Sequence, residues 1–206
     1  MRCKRNVAAY STRIENEEER LAMKSVKTLW FTGLSGAGKS TLAQATALQL
    51  QKSGSACVIL DGDQLRQGLC ADLGYSAADR HENIRRIAEV AALMNQAGLT
   101  VLVAAISPLQ TDRAVAHAII GSAWREIHVA TRLQVCEQRD PKGLYRRARS
   151  GELADFTGIS APYEIPAQAF LRIDTETLEL SLAVQLILAA TAAASPLSAA
   201  AVPHLS

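Results

Sequence analysis

The sequence predicts an α/β fold, a parallel sheet sandwiched by helices, and three observations carry that reading. Short β-rich runs alternate with longer segments of helical period. A glycine-rich turn joins the first run to the first helix. The 206 residues, 49% of them apolar, suit one domain with a buried core.

The elements can be justified in chain order. Residues 1–23 read basic and then acidic and lack the apolar stretch of a signal peptide, so they form an N-terminal extension and a cytoplasmic location is expected. Strands are predicted at 28–32, 56–60, 100–106, 125–130 and 171–173. Between the second and third, Ile84, Ile87, Ala88, Ala91 and Met94 recur at helical spacing. Ser76 and Asp79 precede them in a capping-box pattern and Gly98 follows, which defines an amphipathic helix. Residues 140–166 hold proline, glycine and several basic side chains with little apolar periodicity, the pattern of a mobile lid. The run 182–194 is rich in Ala and Leu but broken by Gln185 and Thr191, and it falls short of the roughly 20 apolar residues of a membrane span. It reads as a packed terminal helix, followed by a disordered tail at 195–206. The globular domain is thus expected at 24–194.

A net charge of +2, from 22 basic and 20 acidic residues, gives no global field toward nucleic acid or membrane. Any anion site must be local. Cys3, Cys57, Cys70 and Cys136 form no CxxC pair and read as reduced thiols, without disulfide or zinc. His81, His117, His128 and His204 lack ligand spacing and read as surface or packing residues.

Gly33-Leu34-Ser35-Gly36-Ala37-Gly38-Lys39-Ser40 matches G-x-x-x-x-G-K-[ST], placed after a strand and before a helix. A chance glycine-rich turn is the alternative, and this context disfavours it. The fold class is therefore of the P-loop NTPase type. Backbone N–H groups of the loop and the helix N-terminus suit phosphates. Lys39 suits the β and γ phosphates of ATP, Ser40 magnesium, and Thr41 a phosphate oxygen. Hydrolases, motors, switches and kinases share this loop, so the acceptor side decides. There the second strand runs into Asp61-Gly62-Asp63. Asp61 suits the base that takes a proton from an acceptor hydroxyl, and Asp63 suits hydrated magnesium or acceptor contact. A cap for a helix starting at Gln64 is the structural alternative for Asp63.

The blocks GLSGAGKST, DGDQLRQGL, DLGYSAADRHENIRRIAEVA, AISP, DPKGLYRRAR and FTGISAPYE, taken together, resemble the adenylylsulfate kinase family, collinearly from about Asn6 to about Ala190. The resemblance implies transfer of the ATP γ-phosphoryl group to adenosine 5'-phosphosulfate, giving the 3'-phosphorylated product that supplies activated sulfate. It implies acceptor binding by Arg66, Arg80 and Asn83. From the residues alone, a solvated helix face shared with Arg85 and Arg86 is the favoured reading of the last two, and the resemblance reverses it. Tyr75, where the family usually has phenylalanine, and Phe156 are implied as a clamp for the acceptor adenine, with ordinary packing as the alternative. Arg139 is implied at the ATP base and Lys142 at phosphosulfate, with Ile106 and Ser107 lining the acceptor side. Ser107 matches a serine described in some members as carrying a phosphoryl intermediate, although direct transfer with Asp61 needs no covalent step. The chain departs from the pattern at Leu109 and Gln110 and at Ala130. A homodimer and association with a sulfate adenylyltransferase are the implied partnerships. Another small-molecule P-loop kinase and a nucleotide-binding regulatory module are the competing readings.

Overall fold

A computed structural model describes residues 26–193. The expected extension at 1–23 and tail at 195–206, with Cys3 and His204, lie outside the described residues. Strands β1 (Thr28–Thr32), β2 (Cys57–Asp61), β3 (Thr100–Ala104), β4 (Trp124–Val129) and β5 (Leu171–Ile173) form one sheet, all pairs parallel, in the order β2-β3-β1-β4-β5. The helices are α1 (Lys39–Lys52), α2 (Gly62–Leu65), α3 (Ala77–Gln96), α4 (Gln110–Ile120), α5 (Leu133–Arg139), α6 (Leu144–Arg149) and α7 (Leu180–Ala193).

Strand alternation divides the core. Leu29, Phe31, Leu102, Ile127 and Val129 face α1 and α7 through Leu42, Ala43, Ala47, Ala183 and Ile187. Trp30, Val101, Val103 and Trp124 face α3 and α4 through Ile84, Ile87, Ala91, Ala116 and Ile120. Period-2 strands against period-3.6 helices produce this sandwich, and a fully buried side chain such as Ile87 contributes about 2 kcal/mol. The α3 cap forms as the sequence predicts, with Ser76 Oγ accepting the Asp79 N–H at 3.1 Å.

Five strand ends move by one or two residues, among them both ends of β2 (57–61 against 56–60) and of β4 (124–129 against 125–130). β2 extends through Asp61, and β3 stops at Ala104 instead of 106 because Ser107 turns to φ 40 and leaves extended geometry. The segment 140–166 is partly regular: α6 buries Tyr145 and Ala148, and Asp140 accepts the N–H groups of Tyr145 and Arg146 at 3.1 Å each. Cys57, Cys70 and Cys136 are free thiols. His81 pairs with Asp112, His117 stacks on Trp124 and His128 on Tyr163. Among the described residues no helix is long and apolar enough to cross a membrane.

The order of the sheet reverses at β1, which has β3 on one side and β4 on the other. Connections leaving the carboxyl ends of these strands diverge, and the crevice they leave is where open α/β sheets bind ligands. The glycine-rich turn opens directly into it.

Candidate active site

The turn after β1 is shaped by close approach as well as by dihedral angle. A Cβ on Gly33 would lie 2.5 Å from the Val129 carbonyl oxygen, and Gly38 holds φ 100, which side-chain-bearing residues rarely adopt. Lys39 at the head of α1 is buried, and its Nζ donates to the Leu34 carbonyl at 2.8 Å. Burial lowers its ammonium to about 8, against the opposing pull of Asp63, Cys136 and Asp61.

Ser40 Oγ donates to Asp61 Oδ2 at 2.6 Å. The other Asp61 oxygen accepts the Asp63 N–H at 2.9 Å, making Asp61 the N-cap of α2. This corrects the structural alternative drawn from the sequence, in which Asp63 capped a helix at Gln64. Asp61 retains extended backbone at the strand end, as a cap requires, whereas Asp63 is already inside the helix. The Asp63 carboxylate instead pairs with Lys142 Nζ across the crevice.

A cavity of about 920 Å³ runs from the glycine-rich turn to α3. Of the candidate residues, Ser35, Gly36, Gly38, Lys39, Ser40 and Thr41 line one end. Asp63, Arg66, Tyr75, Arg80, Asn83, Ile106, Ser107, Arg139, Lys142 and Phe156 line the rest. Gly33, Leu34, Ala37 and Asp61 do not reach its wall; they act through backbone shape or through Ser40.

On the α3 side, Arg66 lies 4.6 Å from the Tyr75 ring centroid and donates to the Gly74 carbonyl at 2.7 Å. Arg80 donates to the Tyr75 carbonyl at 2.8 Å and to Thr157 Oγ1 at 2.9 Å. Burial, then the neighbouring Arg66, lowers its affinity for the proton. Asn83 is buried, and its Oδ1 has no partner among the described residues, a polar atom left for a ligand or water in the cavity wall. The Tyr75 ring is 65% exposed, and Phe156 meets Tyr145 edge-on at 5.0 Å. Arg139 donates to Thr175 Oγ1 at 2.8 Å and to the Thr175 carbonyl at 2.9 Å, beside the loop.

Ser107 is almost fully buried. Its Oγ accepts from Trp30 Nε1 at 2.8 Å and donates to the Ala105 carbonyl at 3.2 Å. No imidazole or carboxylate bonds this hydroxyl.

Three contributors escaped the sequence reading. Tyr145 Oη donates to the Ser35 carbonyl at 2.9 Å, Thr157 accepts from Arg80, and Thr175 Oγ1 donates to the Ala37 carbonyl at 2.8 Å. Tyr145 and Thr157 stand inside the motif blocks and were legible as neighbours. Thr175, beyond β5, had no local signal.

The comparisons with known proteins agree with this geometry. The adenylylsulphate kinase family profile matches residues 25–174. The adenylyl-sulfate kinase of Shewanella amazonensis is 56% identical over 165 residues, 79% of this chain and 83% of that one. The Mycobacterium tuberculosis APS kinase CysC, solved in complex with AMPPNP and APS, matches with TM-score 0.78 and 47% identity over 81% of this chain and 97% of that chain. The hexameric APS kinase from Thiobacillus denitrificans matches with TM-score 0.62 and 35% identity, over 82% of this chain and 29% of that longer chain. With a phosphate loop and a basic, aromatic-flanked wall in one crevice, and a profile match over most of its length, the chain belongs to the adenylylsulphate kinase family.

Proposed function

We propose that the protein transfers the γ-phosphoryl group of ATP to the ribose 3'-hydroxyl of adenosine 5'-phosphosulfate, yielding 3'-phosphoadenosine 5'-phosphosulfate for sulfate assimilation. The observation that carries this reading is the single cavity with the glycine-rich loop at one end and Arg66, Arg80, Asn83 and Tyr75 at the other. A donor phosphate and a second, anionic nucleotide fit such a pair of ends.

The loop N–H groups and Lys39 hold the phosphates, with Thr41 on a phosphate oxygen and Arg139 toward the ATP base. Magnesium fits the donor set. The Ser40 hydroxyl donates a hydrogen bond to Asp61 and keeps its lone pairs for a hard cation, and Asp63 lies on the same edge to accept from the cation's water shell. When bound, magnesium neutralises charge on the transferring phosphoryl group. Asp61, next to the cavity-lining Gly62, exchanges its Ser40 contact for the acceptor and takes the 3'-hydroxyl proton as the new O–P bond forms and ADP takes the bonding pair of the broken one. Arg66, Arg80, Asn83 and Lys142 bind the phosphosulfate end, and Tyr75 and Phe156 bracket the adenine. Closure of the 140–166 lid excludes water, the acceptor that would turn the kinase into an ATPase.

The occupied, buried hydroxyl of Ser107 favours direct transfer over a phosphoserine intermediate. Ser107→Ala should keep kcat within about tenfold and leave no label on the protein from γ-labelled ATP. It should cost about 1–3 kcal/mol of stability, because the buried Trp30 N–H loses its acceptor. Labelled protein in the wild type, lost in the variant together with activity, would reverse this assignment.

The proposed setting is cytoplasmic. A homodimer is the proposed assembly, and association with a sulfate adenylyltransferase a further proposed partnership. The larger, hexameric chain of the Thiobacillus relative supports assembly within the family. The direct test of function is a coupled assay with ATP, magnesium and adenosine 5'-phosphosulfate that resolves the nucleotide products. The 3'-phosphorylated product is expected. ADP formed without acceptor would point to a different kinase substrate, and silence to a regulatory nucleotide-binding module.

A further inference from the structure

Segment 140–166 stands on the domain at both ends. Its leading foot rests on the donor loop, where Tyr145 Oη donates to the Ser35 carbonyl at 2.9 Å. Its trailing foot rests on the acceptor-side loop, where the Glu164 N–H donates to the Pro108 carbonyl at 2.9 Å and the Glu164 carboxylate accepts the Gln110 N–H at 2.6 Å. Tyr163 Oη and Thr32 Oγ1 meet at 3.1 Å beside this second foot.

One side chain gathers the second foot together. Arg113 on α4 is 3% exposed and does not reach the cavity. Its Nη1 donates to the Ser107 carbonyl at 2.8 Å and to the Pro108 carbonyl at 3.1 Å, and its Nη2 donates to the Glu164 carbonyl at 2.8 Å. Its Nε lies 2.8 Å from Glu126 Oε1 on β4, a close charge contact without the alignment of a hydrogen bond. A buried guanidinium is costly unless its donors are used, and here they bind three carbonyls on two separate segments. One of these carbonyls belongs to Ser107, whose φ of 40 is a conformation that a residue other than glycine leaves unless held.

We propose that Arg113 is a positioning residue that ties the trailing foot of the lid to the Ser107–Pro108 loop, so that lid placement and acceptor placement are set together. The proposal rests on the kinase reading above for its catalytic consequence but not for the anchor itself. Because the fork spans two segments, a lysine at 113 keeps the charge and cannot make the same set of bonds.

The test compares wild type with Arg113→Lys and with Glu164→Ala, the latter removing only the exposed carboxylate on the α4 N-terminus. Hydrogen exchange without substrates should be faster at 158–166 in both variants. In the coupled assay, Arg113→Lys should raise KM for adenosine 5'-phosphosulfate by about tenfold or more, leave KM for ATP within about twofold, and increase ADP released per product formed. Glu164→Ala should move the same quantities less. If Arg113→Lys does not fold, the double variant Arg113→Gln with Glu126→Gln, which removes both buried charges together, reads the anchor in its place. Unchanged exchange at 158–166, or a fall in turnover with both KM values and the ADP-to-product ratio unchanged, would overturn the proposal. A wild type that makes no 3'-phosphorylated product would sink the kinase reading instead, while the exchange measurement would still decide on the anchor.

Discussion

Lys39→Met should lower phosphoryl transfer by about 10²–10³-fold, the loss typical of removing one preorganised charge partner from a transition state, and should raise the stability of the nucleotide-free protein. Without nucleotide the Lys39 ammonium is buried against the Leu34 carbonyl, and its proton is held only to about 8, against 10.5 in water. Between those values the unfolded chain binds more protons than the folded one, so this group makes stability rise with pH from about 8 to 10.5. Below pH 8 its burial cost is fully present. The difference between the two values corresponds to about 3 kcal/mol at most, or several degrees in Tm for a domain of this size. Methionine keeps the aliphatic volume and removes the charge. Thermal melts at pH 7 and pH 9.5, with and without ATP, would check it. The variant should melt higher at pH 7, should lose the alkaline rise, and should gain less from ATP than the wild type. A variant that melts lower at pH 7 would show that the ammonium stabilises the empty site.

Asp61→Asn should lower kcat by about 10²–10⁴-fold while leaving ATP affinity within about threefold. Asparagine retains the size and one oxygen acceptor, so the Asp63 N–H keeps its cap, while its NH2 replaces Oδ2 and the Ser40 hydroxyl turns to accept from it. The variant loses the capacity to accept the hydroxyl proton. Asp63→Asn supplies the contrast. Its carboxylate forms an exposed pair with Lys142, the kind of contact worth about 0–1 kcal/mol, and its substitution should lower kcat by about tenfold at most. Single-turnover rates with ATP affinity measured separately would rank the two. A larger loss at Asp63 than at Asp61 would exchange the roles assigned to them.

These two aspartates also show how far local sequence reaches. Their place at the end of a strand was legible, because a β-rich run leads straight into Asp61-Gly62-Asp63. Which of them caps the helix was not, because that turned on one residue of strand length: β2 continues through Asp61, so the cap falls there. The same holds for Ser107. The motif block marked it as a candidate, and only the packing of Trp30, far earlier in the chain, shows its hydroxyl to be engaged.

The sequence by itself determined the parallel α/β architecture, the phosphate loop, the amphipathic α3 with its cap, and the basic and aromatic residue types that line the cavity beside α3. Each is written in a local pattern: strand and helix periods, the G-x-x-x-x-G-K-[ST] spacing, or a motif block of a few residues. Tertiary structure alone decided that Ser40 meets Asp61, that Thr175 braces the loop at Ala37, and that Arg113 joins Glu164 to the Ser107 loop. These are contacts between segments distant in sequence, made along the edge of the sheet where the parallel strands end. Hydrogen-bond partners at such a crossing are fixed by the sheet order and register, for which no single segment carries the information.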